Sequence, residues 1–386
     1  MTRPDVALIS PFPPLGERHG GWTGVASYSA NLAGALTDAG ARVTVLASAE
    51  DGEPDVARDG TTEVRRVWKR GAGALPAAAA AARATGAPAV HLQHELFLYG
   101  GPAAVLGIVP ALAGLRAGGR RPVVTMHHVV DPGRVDGDFP RTHRVHAPAG
   151  VVRAGVHGVH GAIRALAGTV VVHEPAFADV VGGAEVVPHG IELPERADRA
   201  ATRAELGVAD GTLCALCFGF LAPYKGLETA LEAAGIAGDG VQLVVAGGEH
   251  PRLVAEGDPY AQRLRAAAPS NARFTGFVPD AEVAAWFAAA DVVLLLYPQP
   301  FAASGPLALA LAHGTPALVS PALARTSGVP VDMVVPLEPH AIAARLGELA
   351  SGAQRDALRK RSEALAGGRS WPEVARRHLE LYEAAA

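Results

Sequence analysis

The sequence predicts an α/β protein built from two doubly wound Rossmann-like domains whose loop edges face each other across a cleft. Three observations lead there. The chain has 386 residues, room for two ordinary domains, and 49% of them are hydrophobic, enough for sizeable cores. The first fifty residues run strand, glycine-rich loop, helix, strand. From Leu213 the same alternation begins again.

The elements follow in order. Asp5–Ser10 (DVALIS) reads as a short apolar strand. A loop rich in Gly and Pro carries Pro11, Pro13, Pro14, Gly20, Gly21 and Gly24. Val25, Tyr28, Leu32 and Leu36 then recur at helical spacing, and Gly40 stops that helix before the strand Arg42–Ala47. Further strands are expected at Ala89–Leu92, Pro122–Met126 and Thr169–Val172, with Ala-rich helical stretches between them. Glu185–Pro194 reads as a turn-rich connector, and Arg199–Leu206 is helical in character. The second half places strands at Leu213–Phe218, Val241–Ala246, Arg273–Phe277, Asp291–Tyr297 and Pro316–Val319. Helices are expected over Leu227–Ala234, Glu282–Ala290 and from Pro306 to a stop at Gly314. The domains are drawn at residues 1–190 and 191–370, with an amphipathic helix over 371–386 packing back toward the first.

Composition excludes several function classes. Lys plus Arg total 34 against 38 Asp plus Glu, a net charge of −4, so a general nucleic-acid binder is not expected. Two cysteines exclude a disulfide scaffold. Cys214 and Cys217 stand three apart in a strand, hence on opposite faces, and read as core thiols. No apolar run of about 18 residues, the length that spans a bilayer, occurs. The opening MTRPDVALISPFPP lacks a signal-peptide layout, so a cytoplasmic location is expected. The Ala-, Gly- and Arg-rich usage suggests a GC-rich bacterial genome.

Ligands of open parallel sheets bind where strand ends meet helix N-termini. Three segments lie there. Gly20 and Gly21, in HGGWTG, let backbone approach an anion at a helix start, or serve a loop that needs positive φ. Lys225-Gly226 puts a compact cation at a strand-to-helix junction, suited to phosphate, or else a solvated lysine. Ser304-Gly305-Pro306-Leu307 offers free amides and a hydroxyl for phosphate oxygens, or plain capping.

Together these segments resemble family 4 glycosyltransferases of the two-domain GT-B fold. The likeness rests on FGFLAPYKGLETALEAA, LVVAGGEHP, ARFTGFVPDAEVAAWFAAADVVLLLYP and GPLALALAHGTPALVS, with GGWTGVASYSANLAGAL, VHLQHELFLYGG, VVTMHHV and VVPHGIE before them. It spans nearly the whole chain, and SWPEVARRHLELY is similar to the family's terminal crossing helix. The resemblance implies transfer of a sugar from a nucleotide diphosphate sugar to a sugar, glycolipid or small-molecule acceptor. It implies retention of configuration, no cofactor and no essential metal. Lys225 matches the diphosphate lysine, Ser304–Leu307 the segment whose amides hold the distal phosphate, and Phe277-Val278-Pro279 the loop against the base. Gly20 and Gly21 match glycines over the phosphates and reacting centre. His127 matches a histidine near the donor sugar, with His128 its neighbour. His94-Glu95 follows a strand, so Glu95 is a candidate acceptor contact or a group that merely fixes the loop.

The sequence also departs from the family. Phe220 stands where an Arg is usual, and Phe301 and Leu309 stand where a Glu pair is usual. Residues 298–320 contain no Asp or Glu. Two readings follow: a divergent enzyme that shifts the load to Ser304, the Gly305 backbone and Arg252 or Arg18, or a homologue that binds a sugar or partner without catalysis. Other signals weigh less. Asp136-Gly137-Asp138 reads as a turn rather than a metal motif. His143/His146 and His157/His160 lack the third ligand a zinc site needs. Arg116, Arg120 and Arg121 imply at most weak peripheral membrane contact.

Overall fold

In β1 (Asp5–Ile9) neighbouring side chains enter different cores: Val6 and Leu8 one, Ala7 and Ile9 another. That is what a parallel strand covered by helices on both faces requires. The computed structural model describes residues 5–17, 23–137, 139–140, 145–192, 198–249, 259–299 and 304–385. They form two compact units. One holds the residues up to Gly190 and those from Trp371 onward; the other holds the described residues between Ile191 and Ser370.

The first unit is built on an eight-stranded sheet. Besides β1 its strands are β2 (Arg42–Ser48), β3 (Val56–Asp59), β4 (Thr62–Trp68), β5 (Ala89–His94), β6 (Val123–Met126), β7 (Thr169–Val172) and β8 (Glu185–Val186). Their order is β3-β4-β2-β1-β5-β6-β7-β8, parallel throughout except for the β3–β4 hairpin. Helices Gly24–Asp38 and Trp371–Ala385 pack together on one face. Helices Ala74–Ala84, Ile108–Ala117 and Ala149–Leu166 cover the other, against Leu46, Leu92 and Met126.

The second unit has five parallel strands, β9 (Leu213–Phe218), β10 (Val241–Ala246), β11 (Ala272–Gly276), β12 (Val292–Leu295) and β13 (Ala317–Val319), in the order β11-β10-β9-β12-β13. Cys214 and Cys217 are buried free thiols in β9. At the amino ends of β9 and β12 a buried carboxylate, Asp291, takes Arg199 at 2.6 Å, Arg203 at 2.9 Å, Arg355 at 3.0 Å and the Cys214 amide at 2.8 Å.

The connector expected over Glu185–Pro194 contributes β8. The hairpin β3–β4 carries no sequence expectation. Its second strand alternates buried and less buried positions, yet Glu63, Arg65 and Arg66 dilute the apolar pattern. Arg66 is buried because the Phe12, Pro13 and Ser48 carbonyls and the Glu53 carboxylate accept its guanidinium hydrogens.

Candidate functional site

Both sheets reverse their strand order once, and there the carboxyl ends of two strands diverge. In the second unit the reversal lies between β9 and β12. β9 ends at Phe218, and Gly219 follows with φ +102°. A Cβ on Gly219 would stand 2.5 Å from the Lys225 ammonium. A Cβ on Gly247, at the end of β10, would stand 2.1 Å from the Gly219 carbonyl oxygen. Glycine at both positions therefore lets two strand ends and a lysine crowd together. Gly226 is equally constrained: its φ is +66°, and a Cβ there would meet the Leu296 carbonyl at 2.2 Å.

Lys225 is consequently a buried cation, 9% exposed. Its ammonium donates to the Phe218 carbonyl at 3.1 Å and lies 5.9 Å from the ring centres of Tyr224 and Tyr297. Burial pushes its pKa down to about 8, against which the nearby Cys217 acts weakly. Among the described residues no carboxylate pairs with it. Ser304 joins the same neighbourhood: it acts against burial on the Tyr297 hydroxyl, whose pKa burial raises. It caps helix Gly305–Ala312, its hydroxyl accepting from the Leu307 amide at 3.2 Å, with Pro306 in the first turn. Gly305 is exposed at the helix start and Leu307 is buried. The arrangement can hold an anion: a desolvated ammonium, a helix N-terminus and no competing carboxylate among the described residues. Val278 is buried, whereas Phe277 beside it is 70% exposed and packs close to the Gly248 backbone. Phe220 is partly exposed, and Leu309 packs against the core.

In the first unit the reversal lies between β1 and β5. The Tyr99 hydroxyl donates across it, to Gln93 O at 2.8 Å and Ile9 O at 3.3 Å. His94 ends β5, with Glu95 half-buried beside it. His127 follows β6 and His173 follows β7. These two rings join a chain of buried polar groups. His173 Nδ1 donates to the Val187 carbonyl at 3.0 Å, because a carbonyl only accepts. A neutral His173 then accepts at Nε2 from His127 Nδ1, 3.1 Å away. His127 Nε2 lies 2.7 Å from Gln93 Oε1; with both rings neutral that nitrogen carries only a lone pair, so the network assigns the Gln93 amide the flipped orientation, its NH2 donating there. Burial, then the neighbouring His173, His189, His91 and His94, hold the His127 pKa well below the usual imidazole range. The Gln93 amide also reaches His91 at 3.0 Å, and His91 lies 2.7 Å from both the Thr125 and Tyr382 hydroxyls.

His127 is therefore placed at the strand ends but spends both ring nitrogens inside its own unit. His128, its neighbour, is half-buried. Gly20, Gly21, Arg18, Asp138, His143, Arg252 and Phe301 lie outside the described residues. Asp136 accepts the Phe139 amide at 3.0 Å, a turn contact. His160 is buried on helix Ala149–Leu166 and His157 exposed on it. Among the described residues no group of three or more His, Cys, Asp and Glu could hold a metal ion. Sequence reasoning missed Gln93, His173 and Tyr297. Their only signal is position, at or just beyond a strand's carboxyl end.

No family model matches the chain. No curated protein matches it in sequence. Solved structures do match. Sucrose-phosphate synthase from Thermosynechococcus elongatus superposes with a TM-score of 0.73 at 22% identity, covering 99% of each chain. The N-terminal domain of Candida albicans trehalose-6-phosphate phosphatase gives 0.70 at 12% identity, over 100% of this chain and 97% of that one. HepE from Anabaena, solved in complex with UDP, gives 0.68 at 15% identity, over 99% of this chain and 100% of that one. The fold is GT-B. At these identities the likeness carries architecture rather than activity. In this chain's own strand order, Lys225 and Ser304 stand at the switch point of one sheet, and His94 and Glu95 at that of the other.

Proposed function

We propose that this GT-B chain is a glycosyltransferase of the family 4 type, moving a sugar from a nucleoside diphosphate sugar to an acceptor hydroxyl. Lys225 carries the reading. A lysine this buried, with no carboxylate partner among the described residues, is a costly arrangement unless an anion completes it. The N-terminus of helix Gly305–Ala312, capped by Ser304, adds partial positive charge to the same place. A departing nucleoside diphosphate gains negative charge as the glycosidic bond breaks. Lys225 and the Ser304 and Gly305 amides would stabilise that charge where it develops. Transfer with retention needs no enzymic nucleophile: the acceptor attacks on the face the leaving group vacates, and the leaving phosphate takes its proton. Metal is not required, because Lys225 and the helix dipole do the work of neutralisation. HepE, solved with UDP, makes UDP the first nucleotide to try.

A second reading has an observation of its own. Phe220 and Leu309 stand where the family carries an Arg and a Glu, and both are apolar. On that reading the chain binds a sugar or a partner without transferring. The test is thermal unfolding with UDP, GDP, TDP and ADP, with and without Mg²⁺. A ligand at a hundred times its Kd adds about 2.7 kcal/mol to native stability. One nucleotide should raise Tm in wild type without Mg²⁺ and leave Lys225→Ala unchanged. No shift with any nucleotide would overturn the donor site.

A further inference from the structure

The chain has three lysines, Lys69, Lys225 and Lys360, and every other member of its 34 Lys and Arg residues is Arg. Lys69 and Lys360 are exposed. Lys225 is buried, at a place where an arginine would serve an anion better through its bidentate fork. Arginine cannot shed its proton, whereas a desolvated lysine can. Two features of the corner suit a reaction of the free amine. First, the Phe218 carbonyl at 3.1 Å is its one hydrogen-bond partner among the described residues, and no carboxylate there holds the proton on. Second, Gly219 brings the amine beside a helix start. A Cβ on Gly219 would stand 2.5 Å from Lys225 Nζ and 4.0 Å from Pro306 Cγ, so the first turn of helix Gly305–Ala312 lies across one glycine from the amine. The Ser304 hydroxyl occupies the Leu307 amide, which leaves the Ser304 and Gly305 amides for an anion. Gly305 is exposed, so a small anion reaches them from solvent.

An amine beside an anion cradle suits an electrophile that carries its own anion. We propose that Lys225 is an acylation site for acyl phosphates, the phosphate half held at the start of helix Gly305–Ala312 and the acyl carbon meeting Nζ; this rests on the reading of that helix start as an anion site. In the step, the lone pair of neutral Nζ attacks the acyl carbon and a C–N bond forms. The C–O bond to phosphate breaks, phosphate leaves with the electron pair, and the proton lost by nitrogen goes to it. The products are an amide and inorganic phosphate, with no change of oxidation state. Burial holds the Lys225 amine down to about 8, so about a tenth of it is neutral at pH 7, against less than about a thousandth of a solvated lysine. The titratable groups facing it are Cys217 on β9, Tyr224 and Tyr297. Burial raises the Cys217 thiol to about 12 and raises the Tyr297 hydroxyl as well, so neither charges near neutrality. The amide is uncharged, so acylated protein lacks the cation that a donor diphosphate would meet.

The test is incubation of the wild-type protein with acetyl phosphate between pH 6 and 9, with acetylation at each of the three lysines followed by peptide mass spectrometry. At pH 7 Lys225 should react at least about tenfold faster than Lys69 or Lys360. Its rate should climb to about pH 8 and then level. Inorganic phosphate should slow Lys225 and leave the two exposed lysines unchanged. Lys225 reacting no faster than the exposed lysines, or a preference that survives saturating phosphate, overturns the proposal. UDP is tested on the same samples, for protection of Lys225 and for thermal shift. Acetylation of Lys225 that phosphate slows and UDP does not, with no UDP shift, would leave this site standing and remove the donor reading. A UDP shift with Lys225 inert to acetyl phosphate would do the reverse.

Discussion

Burial holds the Lys225 ammonium down to about 8, so in the free protein its charge is partly lost in mildly alkaline solution. A bound diphosphate favours the charged form and raises that pKa. Binding therefore takes up a proton above pH 8 and takes up none well below it. The terminal phosphate of UDP, with a second pKa near 6, stays fully ionised throughout. UDP affinity should then be level near pH 7 and fall by up to about tenfold per pH unit above 8. Calorimetric titration at pH 7, 8 and 9 reads this directly, and Lys225→Met should bind weakly with no slope. A flat profile in wild type would mean the lysine is not desolvated in solution. The sequence made Lys225 visible as a residue at a strand-to-helix junction. It did not make visible the Tyr297 ring or the Phe218 carbonyl, which reach the ammonium from separate points along the chain. For the same reason His127 was legible as a strand-end histidine, while the two partners that occupy its nitrogens were not.

At the scale of elements, Asp291 ties the amino ends of β9 and β12 to helices Arg199–Glu205 and Gly352–Ala366. The carboxylate is 2% exposed: removing it leaves the largely buried Arg203 with carbonyl acceptors but no counter-charge, and takes the acceptor from the Cys214 amide. Breaking a buried ion pair from one side typically costs about 3–5 kcal/mol. Asp291→Ala should therefore destabilise the second unit by about that much in urea titrations. Nucleotide affinity of the folded fraction should stay unchanged, since Lys225 lies past the carboxyl end of β9, at the opposite edge of the sheet. Loss of affinity with little loss of stability would show that Asp291 is not the structural tie. Most parallel strands of both sheets were legible because burial on both faces leaves near-continuous apolar runs such as VVLL in β12. The β3–β4 hairpin was not, because its buried Arg66 is solvated by carbonyls from a distant loop. No local pattern announces such a partner. The glycines at 219, 226 and 247 belong between these cases. Their presence at strand ends was readable, but the close approaches that forbid a Cβ are tertiary.

For the whole molecule, the uneven placement of buried histidines sets how the two units respond to acid. In the first unit His91, His94, His127, His160 and His378 all have lowered pKa values, burial being the leading cause in each. In the second, His313 alone among the described histidines is shifted down. Unfolded histidines titrate near 6.5, whereas the folded first unit keeps His160 and His378 neutral to about 4 and His94 to about 3. Between those values the unfolded chain binds more protons than the folded one. The stability these groups contribute is thus complete above pH 6.5 and is lost as pH falls toward 4. Each proton bound in excess by the unfolded state steepens the decline by about 1.4 kcal/mol per pH unit. Five histidines should give the first unit a far steeper decline than the single His313 gives the second. Calorimetric scans at pH 7.5, 6.0 and 5.0 should show one transition moving down sharply and another moving little. His378→Leu, which removes one titrating group and the unpaired Nε2 on helix Trp371–Ala385, should flatten the steeper one. Two transitions that shift in parallel would mean that the histidine chain from Tyr382 to Val187 is already protonated in the native state.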